Sequence, residues 1–294
     1  MASNAELPLH FSAADRQRIE PHLPPPPAAS HAKTAGSSDP SPSLSAALPF
    51  VTLTFATSLD SALSLGPGIR TALSGPQSKA MTHYLRSRHD AICVGVGTAV
   101  ADDPGLNSRL AGDDVVDGGG GEGGRVRQPR PIIIDPRLRW GFTAQSKVMR
   151  LAREGKGLAP YIATLEKEPA TEKRRILEDA GGKFIILEAE QSDESNKGGT
   201  RHLGWSAILG AVWREGLRSI MIEGGAEVIN SLLSEHADLI DSVIVTIAPI
   251  WLGKGGVTVS PPRIRGVDNP VARLSDTTWV PLGDDVVLCG RIAR

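Results

Sequence analysis

Cysteine is scarce in this sequence, whose 294 residues contain only Cys93 and Cys289. Each lies in an apolar run, without a neighbouring cysteine that would make a C-x-x-C metal or redox motif. We therefore expect two reduced, buried thiols, as is usual in an intracellular protein. The seven histidines are scattered along the chain, so their spacing gives no support for a metal site either.

Strong net charge and long apolar runs are also lacking. The formal net charge is -1, so no strong field draws the chain toward nucleic acid or an anionic membrane. No window approaches the roughly 18 apolar residues of a membrane span, and residues 1–20 lack the apolar core of a signal peptide. We expect a soluble, cytoplasmic protein that binds neither nucleic acid nor membrane.

Large apolar residues are almost absent from residues 21–47, where proline, serine and alanine dominate. Such a composition cannot bury enough surface to offset its ordering entropy. We predict a disordered tail over residues 1–47, with a short helix possible within 5–20, and one folded domain over 48–294. A glycine cluster marks residues 111–129 as a flexible insertion, and residues 189–202 read as a polar loop.

Short β-rich runs alternate with helical patterns through the rest of the chain. The predicted strands are 50–57, 91–96, 131–135, 160–164, 183–187, 219–222, 242–248 and 285–292. The predicted helices are 76–89 (with Ser74 as N-cap), 144–154, 170–180, 205–215 and 226–236. This alternation favours an α/β fold with a mainly parallel sheet and flanking helices. Because no helix separates the last two strands, we expect an antiparallel pair at the C-terminal edge of the sheet.

A carboxylate and two glycines stand where a predicted strand ends and a helix begins. Residues 219–236 read SIMIEGGAEVINSLLSEH, which places Glu223, Gly224 and Gly225 at that junction. Unpaired N–H groups and the dipole of a helix start bind anions, and glycine lets a phosphate approach the backbone. The alternative is an ordinary turn that needs positive φ, and the sequence leaves both open. Glu223 lies where ligands of open α/β sheets bind, or it caps the turn.

A second group of polar residues follows the strand predicted at 91–96. Gly95-x-Gly97 is an incomplete dinucleotide fingerprint, and no acid stands at a second strand end about 20 residues further on, so a Rossmann domain is disfavoured. Thr98 and Asp102 share one face of a helical turn, where they could bind a ribose or an amide. Arg109 offers a cation for phosphate. The alternative is a helix cap with solvated charges.

Two further segments carry candidate polar residues. The helix predicted at 76–89 contains His83 and His89, for which a hydrogen-bonded or surface role is more probable than catalysis. The strand 50–57 ends at Ser58-Leu59-Asp60 and enters a glycine-containing loop. Polar groups just beyond a strand end suggest the lip of an active site, and the alternative is a simple turn.

Taken in order, these segments resemble one family, the riboflavin-pathway pyrimidine reductases, whose fold is similar to dihydrofolate reductase. The matching segments are PFVTLTFATSLDS, LSGPQSKAMTHYLRSRHDAICVGVGTAVADDPGLNSRL, PRPIIIDPRLR, IMIEGGAEVINSLL and IDSVIVTIAPIWLGKGG, within residues 49–256. The same module forms the C-terminal half of bacterial bifunctional deaminase/reductases. The zinc deaminase signature, H-x-E with P-C-x-x-C, is absent from this chain, so we expect reduction without deamination.

The resemblance implies that NADPH, with NADH as the alternative, reduces the ribosyl group of a ribosylaminopyrimidine phosphate to a ribityl group. The implied cofactor contacts are Ala56, Thr98, Asp102, Gly224, Gly225, Ala226, Glu227 and Val228. The implied substrate contacts are Arg86, Leu106, Arg109 and Glu223, with the arginines suited to the 5′-phosphate. The resemblance also implies a homodimer.

One position departs from the family, because relatives commonly carry Lys or Arg where this chain has Ala62. Asp60 is our candidate for proton handling, and the alternative is that it only shapes its loop. Three functions stay open. They are the riboflavin-pathway reductase, a related reductase of another pyrimidine or pterin, and a catalytically silent nucleotide-binding protein, which the departure at Ala62 motivates.

Overall fold

A computed structural model describes residues 9–26, 48–111, 126–190, 202–263 and 269–293. The strands are β1 (Phe50–Thr57), β2 (Ala62–Ser64), β3 (Ala91–Gly95), β4 (Arg130–Ile134), β5 (Tyr161–Thr164), β6 (Lys183–Ile186), β7 (Ser219–Glu223), β8 (Ser242–Ile247), β9 (Val257–Thr258), β10 (Leu274–Leu282) and β11 (Asp285–Ile292). The helices are α1 (Ala13–Ile19), α2 (Pro76–Arg88), α3 (Val96–Asp102), α4 (Lys147–Arg153), α5 (Thr171–Asp179), α6 (Trp205–Arg214) and α7 (Ala226–Glu235). Short 3-10 turns follow α1 and α7 at Glu20–His22 and Ala237–Leu239.

Nine of the described strands form one sheet in the order β10-β11-β8-β1-β7-β3-β4-β5-β6. The pairs from β8 to β6 are parallel, whereas β11 lies antiparallel to both β8 and β10. The predicted fold class and the antiparallel C-terminal edge are confirmed. β2 and β9 form a separate two-stranded ribbon at the end of β1.

The central strands are apolar on both faces because helices cover both faces of the sheet. In β7, Ile220 and Ile222 point toward α6 and α7, while Met221 packs with α2 on the opposite side. Cys93 and Cys289 are fully buried free thiols, and burial raises the pKa of each to about 12. The prediction of two reduced, buried cysteines is confirmed.

His89 ties α2 to β1 inside this core. The ring is fully buried, its Nδ1 donates to the Leu85 carbonyl at 2.7 Å, and its Nε2 accepts from the Thr52 hydroxyl at 2.8 Å. Because a carbonyl can only accept, the Nδ1 atom carries the proton. Burial lowers the pKa of His89 to about 4, so the ring is neutral. The hydrogen-bonded role that we predicted is confirmed.

The predicted tail does not hold for residues 9–26. Phe11, Ile19 and Leu23 are buried in the same apolar cluster as Tyr84 of α2 and Leu282 of β10. The proline-rich composition that suggested disorder begins beyond this segment, and the helix is too short to be stable without tertiary packing. Residues 1–8 and 27–47 lie outside the described residues.

Three smaller predictions can be compared with the structure. The N-cap of α2 is Gly75, not Ser74, and its N–H donates to Asp285 at 2.8 Å. The predicted insertion is ordered at its end, where the Gln128 side chain pairs with the backbone of Ser108, while residues 112–125 lie outside the described part. Across the described ranges, no helix is both long and apolar enough to cross a bilayer.

Candidate functional site

The parallel strands bring their carboxyl ends, and with them most of the predicted site residues, to one edge of the sheet. Glu223, the last residue of β7, lies opposite Thr54 of β1. Ala56, near the end of β1, lies opposite Thr246 of β8, and Gly95 ends the neighbouring β3. Ligands of open α/β sheets bind outside this edge, which makes it the candidate active site.

The Gly224-Gly225 turn leads from β7 directly into α7. Gly225 is the N-cap of α7, with φ -70° and ψ 172°, and no side chain caps the helix. The first intrahelical bond runs from Ile229 N to Gly225 O, so the N–H groups of Ala226, Glu227 and Val228 precede the hydrogen-bonded ladder. Neither glycine has positive φ. The backbone conformation therefore does not explain them, and the alternative of a positive-φ turn is wrong.

The two glycines serve different purposes. A Cβ on Gly224 would lie 2.6 Å from both Cβ and Cγ1 of Val228, so the close packing of the turn on α7 requires this glycine. A Cβ on Gly225 would have only the Thr98 hydroxyl within 4 Å, at 3.9 Å. Gly225 is exposed, and its missing side chain leaves open space over the helix start.

Thr98 approaches this turn from α3, which follows β3 without a loop. Thr98 and Asp102 are both half-buried and lie in this helix, as their spacing predicted. A Cβ on Gly95 would lie 3.2 Å from Val228, so the end of β3 and the start of α7 are in close packing. The structure thus brings together Gly225, Thr98 and the first turn of α7.

Glu223 is paired with Arg86 of α2. The Arg86 Nε and Nη2 atoms donate to the two carboxylate oxygens at 2.8 and 2.7 Å, and both side chains are largely buried, with 15% and 22% of their surface exposed. Nη1 of Arg86 also donates to the Asn107 carbonyl at 3.2 Å. A bidentate pair of this kind fixes both groups in one geometry. The contacts leave Arg86 better suited to orienting Glu223 and the 107 loop than to holding a phosphate alone.

Arg109 lies over His83, one helical turn before Arg86 on α2. The Arg109 N–H donates to His83 Nδ1 at 3.1 Å, and its guanidinium Nη2 lies 3.2 Å from Nε2. Burial, followed by the charges of Arg86 and Arg109, lowers the pKa of His83 to about 3. The ring is therefore neutral and supports the arginine without adding a positive charge.

The loop that carries Arg109 is closely held. The Ser108 hydroxyl donates to the His83 carbonyl at 2.8 Å, and Asn107 Nδ2 donates to the Lys156 carbonyl at 2.8 Å. Leu106 has φ +52°, a strained value for leucine, and its side chain is 2% exposed among apolar residues under α3 and α4. The Leu106 side chain therefore packs in the core, and the substrate contact that the resemblance implies at this residue stays a prediction.

Asp60 joins two loops beyond the ends of β1 and β8. Its carboxylate accepts from the Ser58 hydroxyl at 2.5 Å and from Leu252 and Gly253 N–H groups at 3.1 and 2.7 Å. These bonds, the one from Ser58 foremost, lower the pKa of Asp60 to about 2. Both oxygens accept from neighbouring donors, which favours the loop-shaping alternative over proton handling.

Ala62 begins β2 and is 1% exposed. Its N–H donates to the Ser58 hydroxyl at 3.0 Å, and a Cβ on Gly256 would lie 3.4 Å from the Ala62 Cβ. The β2–β9 ribbon is therefore tightly packed at this position. No group of three or more His, Cys, Asp or Glu side chains that could hold a metal occurs in the part of the chain that the structure describes.

Three residues hold the site together, and of these the sequence analysis anticipated only a hydrogen-bonded or surface role for His83. His83 supports Arg109, Asn107 accepts from Arg86, and Gln128 holds Ser108. One signal was present, since the spacing of three between His83 and Arg86 puts both on one helical face. The other two contacts join segments that are distant in sequence, and no local sequence pattern predicts them.

Comparison with known proteins identifies the family of this chain. The family model for the RibD C-terminal domain matches residues 49–288. A protein of Debaryomyces hansenii is 41% identical over 245 residues, covering 83% of this chain and 90% of that protein. One of Eremothecium gossypii is 38% identical over 292 residues, covering 98% of this chain and 100% of that protein. Both bear the name 2,5-diamino-6-ribosylamino-4(3H)-pyrimidinone 5′-phosphate reductase.

Solved structures agree with the sequence comparison. The riboflavin biosynthesis reductase Rib7 of Saccharomyces cerevisiae has a TM-score of 0.66 and 32% identity, covering 95% of this chain and 99% of that one. RibD of Acinetobacter baumannii shares the fold, with a TM-score of 0.63 at 20% identity, covering 84% of this chain and 59% of that one. This chain belongs to the RibD C-terminal domain family.

Proposed function

We propose that this chain reduces 2,5-diamino-6-ribosylamino-4(3H)-pyrimidinone 5′-phosphate, converting its ribosyl group to ribityl in an early step of riboflavin biosynthesis. The relatives that bear this name match most or all of the chain. The structural observation that carries the proposal is one junction at the carboxyl edge of the sheet. There the open glycine turn lies beside Thr98, and Glu223, the residue before the turn, connects through Arg86 to the loop of Arg109.

The first turn of α7 fits the diphosphate of a nicotinamide cofactor. The N–H groups of Ala226–Val228 precede the first helical bond, the helix dipole adds positive potential, and Gly225 leaves the approach open. Thr98 and Asp102, with Ala56 at the end of β1, extend the same side of the site. We propose NADPH as the cofactor, with NADH as the alternative to be separated by titration.

The substrate lies on the other side of the Glu223–Arg86 pair. We assign the 5′-phosphate to Arg109, a cation in the loop that Arg86 contacts through the Asn107 carbonyl. The Arg109 N–H donates to Nδ1 of the neutral His83 ring, which holds this residue in place. Glu223 would then accept from a substrate hydroxyl or amine while Arg86 fixes its orientation.

When bound, the reduced nicotinamide would supply the hydride that reduces C1′ of the ring-opened imine, whose nitrogen also gains a proton. The protein's part is to position the two reactants and to exclude water, which can lower a barrier by roughly 7–11 kcal/mol. The Arg86–Glu223 pair and the anchored 106–109 loop provide fixed contacts for that purpose. We assign no proton transfer to Asp60, because its carboxylate stays ionised and bonded within its loop.

We further propose a cytoplasmic homodimer. β8 lies inside the sheet between β11 and β1 and is buried, so this strand itself is not a free edge. Just beyond it, Trp251 is 72% exposed. Ile250 and Leu59 are also exposed, and the Leu59 N–H donates to the Ile250 carbonyl. A second copy covering these apolar side chains would give a dimer, which the mass measured by light scattering would reveal.

The direct test is an absorbance assay of NADPH oxidation with the ribosylaminopyrimidine phosphate. Turnover that yields the ribityl product supports the proposal. Oxidation with another pyrimidine or pterin, and none with this substrate, would favour the related-reductase alternative. Cofactor binding without turnover of any substrate would favour the third alternative, a catalytically silent nucleotide-binding protein, which Ala62 motivates.

A further inference from the structure

The N-terminal segment, residues 9–26, runs across the same loop and helix that carry the substrate-side residues. Leu9 pairs with Leu110 as an isolated parallel bridge, in which Leu9 N donates to Arg109 O at 3.1 Å and Ala111 N donates to Leu9 O at 3.0 Å. This bridge holds the backbone of Arg109 on one side. The Gln128 side chain holds the same loop through two hydrogen bonds to the backbone of Ser108.

The same segment is fastened to α2, which carries His83 and Arg86. Phe11 packs against Tyr84 with ring centroids 5.4 Å apart, and Arg16 donates to the Phe11 carbonyl at 2.8 and 2.6 Å. Glu20 accepts hydrogen bonds from both Tyr84 and Arg88. Tyr84 and Arg88 thus fix the segment to the helix turns on either side of Arg86.

Two independent contacts therefore place the segment between α2 and the Arg109 loop. Bonds from Arg86, Ser108 and Arg109 already join the helix to the loop, and the segment adds further bonds to both elements. We propose that residues 9–26 are a positioning element for substrate binding, and that the Leu9 bridge sets the place of Arg109. This inference rests on the proposed function for its substrate, a sugar phosphate.

The composition of the segment fits this role better than that of a linker. Arg16 is buried with Phe11, Ile19 and Leu23 and donates to the Phe11 carbonyl, and burying a charged side chain is costly unless its partners are fixed. Arg291 of β11 donates to the Pro21 carbonyl at 2.9 Å, which anchors the far end of the segment on the sheet edge.

The test compares two substitutions at one position. Leu9→Pro removes the N–H that donates to Arg109 O, whereas Leu9→Ala keeps both backbone bonds of the bridge. We expect Leu9→Pro to raise the substrate Michaelis constant about three- to tenfold, from the loss of one backbone bond, with kcat and cofactor affinity nearly unchanged. Leu9→Ala should keep the wild-type Michaelis constant.

A double-mutant cycle with Arg109→Ala shows whether the effect passes through the arginine. With Arg109 absent, Leu9→Pro should change the Michaelis constant by less than about twofold, because coupled residues are not additive. An equal rise in both backgrounds would overturn the proposal, and so would an unchanged constant in Leu9→Pro alone.

Amide hydrogen exchange provides a readout that does not need activity. The Ala111 amide should exchange faster in Leu9→Pro than in Leu9→Ala, and equal rates would contradict the bridge. Absence of turnover by the wild-type protein would instead count against the proposed function, and the exchange result would still decide whether Leu9 holds the loop.

Discussion

Valine in place of Gly225 tests the anion site without disturbing the fold. The residue lies in extended backbone, with φ -70° and ψ 172°, which a β-branched residue adopts without strain. The nearest atom to an added Cβ is Thr98 Oγ1 at 3.9 Å, so the free protein has room for the side chain. Because valine is less favoured than glycine at a helix N-cap, we expect the free energy of unfolding to fall by about 0.5–1.5 kcal/mol, with the fold retained.

Cofactor binding should respond very differently, because the valine methyls would occupy the approach to the N–H groups of Ala226–Val228. A hydrogen bond to a charged group contributes about 1.5–3 kcal/mol. Losing one such bond corresponds to a roughly 10- to 150-fold higher dissociation constant. Fluorescence titration of NADPH against Gly225→Val and the wild type measures this change.

Gly224 and Gly210 provide matched controls. Gly224→Ala would place a Cβ 2.6 Å from Val228, so we expect it to destabilise the fold by about 1–3 kcal/mol. Gly210→Ala lies on α6, where the nearest side-chain atom is 3.7 Å away, and should leave cofactor affinity unchanged. If Gly225→Val binds NADPH as tightly as the wild type, the diphosphate does not lie on this turn.

Three other perturbations test separate parts of the account. Arg109→Ala should raise the substrate Michaelis constant roughly 10- to 100-fold with cofactor affinity intact, and a collapse of cofactor binding in titration would put the arginine on the wrong ligand. Asp60→Asn should lower kcat by less than about tenfold and speed amide exchange at Gly253, whereas a proton-transfer role would cost about 10²–10⁴. Burial lowers the pKa of His89 to about 4 from 6.5, so the unfolded chain binds the extra proton between these values. The stability that depends on neutral His89 is then complete above about pH 6.5 and falls toward pH 4, by up to about 1.4 kcal/mol per pH unit. His89→Gln should remove this share of the slope in denaturant titrations, while the share from His83, whose pKa is also lowered, remains.

Much of the fold could be predicted because it is written in local patterns. The run Ile220–Ile222 has the continuous apolar character of a strand buried on both faces, and the 3.6-residue period of 226–236 is that of a helix packed on one side. The predicted strands and helices are all present, most with close boundaries. Because the carboxyl ends of parallel strands share an edge, their order along the chain also located the candidate site.

The parts that failed depend on long-range contacts. β10 went unpredicted because Pro281 and a polar run of Ser, Asp and Thr disguise an edge strand, which tolerates both. The packing of residues 9–26 depends on partners such as Tyr84 and Leu110, which lie far along the chain.

Side-chain roles were the least predictable feature. The Arg86–Glu223 pair joins residues 137 positions apart. No spacing rule shows that one predicted ligand is already the partner of another. The burial of Leu106 and its positive φ were likewise not visible in the sequence. The sequence supplied the residue types of the site, whereas their pairing came from tertiary structure.

A structure of the protein crystallised with NADPH tests the central claim most directly. The account predicts the cofactor diphosphate on the N–H groups of Ala226–Val228, beside Thr98, with the nicotinamide facing the side of the site that holds Glu223 and Arg109. NADPH bound elsewhere, with the turn after β7 unoccupied, would contradict it.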